Sequence, residues 1–134
     1  MKILLDTHII MWTFSGNTRL SQNALDVINN NRDNLLCSAA TIWEVSIKHS
    51  HDPKGFSLTP EQMIQLCEET GILQLPVFFR HIPALSTLQR HENAPAHKDP
   101  FDRIMIAQAK TDNLLFLTHD SLLKYYDEPC ILYV

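Results

Sequence analysis

Glycine is scarce in this 134-residue chain: it has three, and none stands in a G-x-G-x-x-G or phosphate-loop arrangement. A nucleotide site built on a glycine cradle is therefore excluded. Cysteine is equally sparse. Cys37, Cys67 and Cys130 are odd in number, far apart and without C-x-x-C spacing, so they predict thiols in a reducing compartment and neither a disulfide framework nor a zinc site. No apolar run approaches the roughly 20 residues that a bilayer span needs. The N-terminal apolar run Ile3-Leu4-Leu5 meets Asp6 at once, well short of the roughly 7 apolar residues of a signal peptide, and a cytoplasmic protein is expected. An excess of positive charge is also missing, with 11 Lys and Arg against 15 Asp and Glu. There is no internal repeat, low-complexity tract or dividing linker, and 45% of the residues are hydrophobic. These values predict one domain over residues 1–134 with a full-sized core.

What is present alternates between short apolar runs and helix signals. Lys2–Leu5, Leu35–Cys37, Ile72–Leu75, Leu114–Leu117 and Cys130–Tyr133 read as buried strands. His8–Phe14 is apolar nearly all round and breaks at Ser15-Gly16-Asn17. Ser21 predicts a cap for a helix to about Asn29, and Ser38 a cap for one through Lys48. Thr59-Pro60-Glu61-Gln62 is a capping box with proline in the first turn, and Gly71 closes that helix. A further helix is expected over Arg80–Gln89, a long one from Asp99-Pro100 to Asp112-Asn113, and a short one from Asp120. Continuous apolar strands separated by helices predict an α/β fold with a mainly parallel sheet covered on both faces.

Ligands of such sheets bind at the carboxyl ends of the strands. Asp6 follows the first strand and Asp120 the fourth, while Glu44 and Asp102 lie in apolar helical contexts, Ile42-Trp43-Glu44-Val45 and Phe101-Asp102-Arg103-Ile104. An ionised carboxylate among apolar neighbours is expensive without a partner. Two carboxylates about 5 Å apart repel by roughly 3 kcal/mol at an effective dielectric near 20. Arg103 is the one nearby cation that the pattern offers, too little for four acids, so a hard divalent ion, Mg²⁺ or Mn²⁺, is the better counter-charge. With those four acids set aside the chain holds 11 basic and 11 acidic residues. An anionic substrate such as RNA would then be held by local groups and the ion, not by a basic face. Metal-assisted phosphoryl displacement is the chemistry this pattern suits.

The stretches Leu4-Leu5-Asp6-Thr7-His8, Ser38-Ala39-Ala40-Thr41-Ile42-Trp43-Glu44-Val45-Ser46-Ile47-Lys48, Asp99-Pro100-Phe101-Asp102-Arg103-Ile104-Met105-Ile106-Ala107-Gln108-Ala109 and Leu117-Thr118-His119-Asp120 resemble PIN-domain ribonucleases. The resemblance is closest to the VapC-like toxins of toxin–antitoxin pairs, and it covers essentially the whole chain in order. It implies a three-layer α/β/α sandwich and Mg²⁺- or Mn²⁺-dependent RNA cleavage. It also implies Asp6, Glu44, Asp102 and Asp120 as the catalytic acids, with Asp6, Asp102 and Asp120 on the metal. Thr118 is implied as a supporting hydroxyl, and a homodimer inhibited by a small VapB-like antitoxin as the assembly.

Each of these residues also has a plainer reading. Asp6 and Asp120 can cap the helices that follow them, and Glu44 can pair with Lys48 one turn on. Asp99 competes with Asp102, but its place before Pro100 makes it the natural cap, with a structural or supporting role. Arg103 can serve RNA phosphate, the acids or a surface ion pair. His8, His97 and His119 flank the motifs and can touch RNA, but a lone histidine reads first as polar surface, and Trp12, Phe14 and Trp43 read as core in preference to RNA-stacking platforms. Ile9, Ile10, Met11 and Trp12 exceed what one core is expected to bury, which suits an interface. A receiver-like Mg²⁺-binding signalling domain is the competing function, but it needs paired acids after the first strand and an Asp after the third, where this chain has Leu75-Pro76-Val77. A non-catalytic PIN-like RNA-binding scaffold is disfavoured by the complete set of four acids.

Overall fold

A computed structural model describes all residues, 1–134. Five strands, β1 (Ile3–Leu5), β2 (Leu35–Ser38), β3 (Leu73–Leu75), β4 (Leu115–Thr118) and β5 (Ile131–Tyr133), form one sheet in the order β3-β2-β1-β4-β5. Every pairing is parallel, with Leu4 opposite Leu36 on one side and Phe116 on the other. Five α-helices connect them: α1 (Thr7–Ser15), α2 (Gln22–Asn30), α3 (Ala39–His51), α4 (Pro60–Thr70) and α5 (Pro100–Asp112).

The two-residue period of the strands divides the core between the faces of the sheet. Ile3, Leu5, Leu35, Cys37 and Leu117 pack with Ile9 and Ile10 of α1, Ala24 and Ile28 of α2, and Met63 and Cys67 of α4. Leu4, Leu36 and Phe116 pack instead with Met105, Ile106 and Ala109 of α5. The product is the expected three-layer sandwich.

Local signals fix the helix ends. The Thr59–Gln62 capping box is formed in both directions, and Gly71 closes α4 in the left-handed region at φ 76°, a conformation that glycine adopts without a Cβ clash. Ser38 does more than cap α3. Its Oγ accepts from Ala40 N at 3.0 Å and donates to Gln108 Oε1 of α5 at 2.6 Å, and Ser38 is fully buried. One hydroxyl thus ties together the helices that carry Glu44 and Asp102.

The structure departs from the sequence reading at three places. No α-helix covers Arg80–Gln89; two 3₁₀ turns, Phe79–His81 and Pro83–Thr87, stand there. Pro83 has no N–H to donate, and the buried His81 with Arg80 binds Asp112 instead of extending a helix. The short helix after Asp120 is likewise a 3₁₀ turn, Ser121–Tyr125. The third departure concerns α1, whose Ile9, Ile10 and Met11 are all buried within this one chain while Trp12 is half-buried. The first helix is therefore no spare apolar face. Exposed apolar surface lies elsewhere, on Trp43, Ile64, Leu73, Phe78, Phe79 and Ile82, and Phe79 is 95% exposed. No helix is long and apolar enough to cross a membrane.

Replacing Ser38 by Ala removes a helix cap and strands one side of a buried amide. Urea unfolding should show a loss of about 2 kcal/mol for Ser38→Ala; an unchanged midpoint would show that the α3–α5 tie is dispensable.

Candidate active site

The strand order reverses direction around β1: the chain runs outward through β2 and β3, then crosses to β4 and β5 on the other side. A crevice opens at the carboxyl ends of strands on either side of such a reversal. Asp6 follows β1 there, and Thr118 with Asp120 follows β4. Asp6 backbone N–H continues the ladder by donating to Leu117 O at 3.0 Å. Its side chain caps α1, with Oδ1 accepting from Thr7 N at 2.7 Å, while Oδ2 accepts from Thr118 Oγ1 at 2.7 Å. Asp6 is thus both the cap that the plainer reading expected and a carboxylate aimed into the crevice. Thr118 holds the arrangement from the other strand, because its Oγ1 also accepts from Asp120 N at 3.1 Å.

Glu44 enters from α3. It is only 3% exposed, its Oε1 accepts from Thr7 Oγ1 at 2.6 Å, and its Oε2 accepts from Lys48 Nζ. The i,i+4 pair anticipated as a surface feature is therefore the counter-charge of a buried carboxylate. Asp102 enters from the first turn of α5, 7% exposed, and Asp99 caps that helix by accepting from Phe101 N and Asp102 N. Asp120 is half-buried and caps the following 3₁₀ turn through Leu122 N at 2.9 Å.

Electrostatics unite these residues. Burial pushes the Asp6 carboxyl up to about 7 against the hydrogen bonds from Thr118 and Thr7, and the charges of Glu44 and Asp120 add to the rise. Burial pushes Asp102 up to about 9, with Asp6, Asp99, Glu44 and Asp120 all contributing repulsion. Crowded acids without a counter-ion keep protons that solvent would remove.

Arg103, expected near the acids, points elsewhere: its guanidinium donates to Tyr126 Oη at 3.1 Å and to Leu85 O at 3.0 Å, and it makes no ion pair with a carboxylate. The residue that sequence reasoning passed over is His97. It is 8% exposed, not polar surface, with Nε2 3.1 Å from Asp102 Oδ2 and Nδ1 2.8 Å from Tyr126 Oη. The only signal in the sequence was its position two residues before the Asp99 cap. His97, Asp102 and Asp120 present donor atoms all within 4.8 Å of one another, a spacing that a metal ion can bridge. Trp43, expected in the core, is 64% exposed and meets Phe101 edge-on at 5.2 Å between ring centres. These aromatics neighbour Glu44 and Asp102 in the chain.

A family model described as the PIN domain matches residues 3–129. No curated protein matches the chain at a significant level. Among solved structures, the chain is similar to one in the VapBC2 complex of Rickettsia felis bound to a promoter DNA fragment, at 14% identity and a TM-score of 0.67, covering 100% of this chain and 98% of that one. It is similar to one in DNA-bound VapBC of Salmonella typhimurium at 16% identity and 0.65, covering 99% and 98%. A toxin–antitoxin complex of Klebsiella pneumoniae gives 17% identity and 0.63, covering 98% and 96%. At these identities the likeness is one of fold.

The raised carboxyls make stability depend on pH in a defined sense. Folded Asp102 titrates at about 9 and an unfolded Asp near 4, so the native state holds the extra proton between those values. The contribution of Asp102 to stability is then fully present below about pH 4 and is lost as pH rises toward 9. In chelator, wild type should melt lower at pH 9 than at pH 7, a range above ordinary histidine titration, and Asp102→Asn should flatten that difference and exceed wild type at pH 9. If Asp102→Asn lowers the melting temperature equally at both values, the crowding of acids is not what shifts Asp102.

Proposed function

The chain belongs to the PIN domain family, and from that premise we propose that it is a metal-dependent endoribonuclease and the toxin of a toxin–antitoxin pair. One observation carries the reading. Four carboxylates from four separate segments share one crevice at the carboxyl edge of the sheet, and burial and mutual repulsion push two of them well above the ordinary carboxylate range.

The donor set fits a hard divalent ion, Mg²⁺ or Mn²⁺. Its donors are carboxylate oxygens with one imidazole beside them, and no Lys or Arg pairs with Asp6, Asp102 or Asp120. Asp6, Asp102 and Asp120 are the residues that would hold it. When bound, such an ion offsets the carboxylate repulsion and the negative charge that gathers on a phosphodiester under attack. Thr118 keeps Asp6 turned into the crevice through its hydroxyl. Thr7 and Lys48 fix both oxygens of Glu44, which orients Glu44 to accept a proton from an attacking water. Asp99 supports the site by capping α5, and Arg103 does so by bracing Tyr126 beneath His97.

The similar structures were solved as toxin–antitoxin complexes, which supports a small VapB-like antitoxin as partner. A suitable surface is at hand: Ile42, Trp43, Ile64 and Leu73 line a hollow of about 720 Å³ between α3, α4 and the edge strand β3. An apolar antitoxin segment would cover side chains that this chain leaves in water. Phe78, Phe79 and Ile82, exposed apolar side chains outside that hollow, support the homodimer. Light scattering of the purified protein should give a mass near twice 15.4 kDa, and a strictly monomeric species at micromolar concentration would remove the dimer from this reading.

The decisive test is cleavage of single-stranded or loop RNA. Activity should require Mn²⁺ or Mg²⁺ and vanish in EDTA. Asp6→Asn, Glu44→Gln, Asp102→Asn and Asp120→Asn should each lower it by at least about a hundredfold. Asp99→Asn should retain much of it, because Asn caps a helix about as well as Asp. Cleavage that persists in excess chelator, or a dead Asp99→Asn beside a live Asp102→Asn, would overturn the assignment.

A further inference from the structure

His97 lies in the irregular segment between the 3₁₀ turn Pro83–Thr87 and α5, yet its side chain is among the most constrained near the crevice. One ring nitrogen, Nδ1, is 2.8 Å from the hydroxyl of Tyr126, itself 5% exposed. That hydroxyl accepts from Arg103 Nη1 at 3.1 Å, and the other Arg103 nitrogen donates to Leu85 O. The Tyr126 ring stands perpendicular to the imidazole, with centres 5.5 Å apart, and the Arg90 guanidinium covers its face at 5.1 Å. With Nδ1 engaged, the free edge of the ring presents Nε2 toward Asp102 and Asp120, and the three donor atoms lie within 4.8 Å of one another.

This is how a metal-ligating histidine is built: one nitrogen is tethered by a hydrogen bond that fixes tautomer and ring orientation, and the other is aimed at the cation. The Tyr126 oxygen can accept from Arg103 and from His97 Nδ1–H together, which places the imidazole lone pair on Nε2. Without a cation, Nε2 and Asp102 Oδ2 share a hydrogen bond at 3.1 Å; a cation takes the place of the proton they share. A histidine that merely braced Asp102 would need no second carboxylate within reach of the same nitrogen.

Resting on the metal-dependent reading above, we propose that His97 contributes an imidazole nitrogen to the metal centre, beside Asp102 and Asp120, and that this mixed nitrogen–oxygen set selects Mn²⁺ and kindred transition cations over Mg²⁺. Imidazole suits transition metals, whereas Mg²⁺ favours oxygen donors and keeps its waters. An all-carboxylate site would discriminate less.

The test is pulsed electron paramagnetic resonance of Mn²⁺ bound to the full chain, read alongside equilibrium binding of Mn²⁺ and Mg²⁺. Wild type should show the ¹⁴N modulation of a directly coordinated imidazole. His97→Ala and His97→Gln should both lose it while still binding Mn²⁺, with affinity reduced about tenfold or more for Mn²⁺ and far less for Mg²⁺. Two substitutions guard against one that fails to fold. His8→Ala, which removes a different imidazole that feels the charges of Glu44 and Asp120, should leave the modulation unchanged. Mn²⁺ bound by wild type without ¹⁴N modulation, or a modulation that survives loss of His97, overturns the proposal and leaves the metal-dependent reading standing. Mn²⁺ binding that is absent, or indifferent to Asp102→Asn, overturns both.

Discussion

Repulsion among acids confined to a low-dielectric crevice is the constraint around which this protein is organised. Asp6, Glu44 and Asp102 are all buried, and Asp120 is half-buried beside them. Burial, with their mutual repulsion added to it, raises two of them far above the ordinary carboxylate range. Such a cluster opposes folding unless the remainder of the chain compensates. The compensation is the two-faced core, where five parallel strands bury apolar side chains against α1, α2 and α4 on one side and α5 on the other.

The crevice is held by short-range hydrogen bonds in preference to cations. Thr118 bridges Asp6 and the Asp120 backbone, Thr7 joins α1 to Glu44, and Ser38 ties α3 to α5. Hydroxyls can fix carboxylate orientation without neutralising charge, which leaves net negative potential for a divalent ion. Lys48 is the exception, and it neutralises only Glu44. That asymmetry separates one carboxylate with a cationic partner from Asp6, Asp102 and Asp120, which pair with no Lys or Arg. It is the division between proton acceptor and metal donors that the proposed nuclease chemistry requires.

A second feature sets the outer surface apart from the inner one. The α1 residues that looked surplus in the sequence are absorbed into the core, while Trp43, Ile64 and Leu73 remain in water around the hollow beside β3. Trp43 lines this hollow and meets Phe101 of α5 edge-on. A partner seated in the hollow would cover these apolar side chains.

The sequence by itself determined the elements whose signals are local. Unbroken apolar runs gave parallel strands, the Thr59–Gln62 box and the Asp99-Pro100 pair gave helix starts, and Gly71 gave a helix end, because capping and side-chain alternation depend on neighbours a few residues away. Local signals failed where distant contacts compete: at Arg80–Gln89, Pro83 and the His81–Asp112 bond replace a helix with two tight turns. The four acids were legible because each follows a strand or sits on an apolar helix face. Their partners were not, since Thr7 meets Glu44 across 37 positions and Thr118 meets Asp6 across 112. His97 shows the limit most clearly. No periodicity marks a histidine in an irregular segment, and only the packing of Tyr126 and Arg103 from later in the chain turns it inward. Tertiary structure alone decided which polar groups face the acids, because that depends on where separate helices meet and not on the spacing within any one of them.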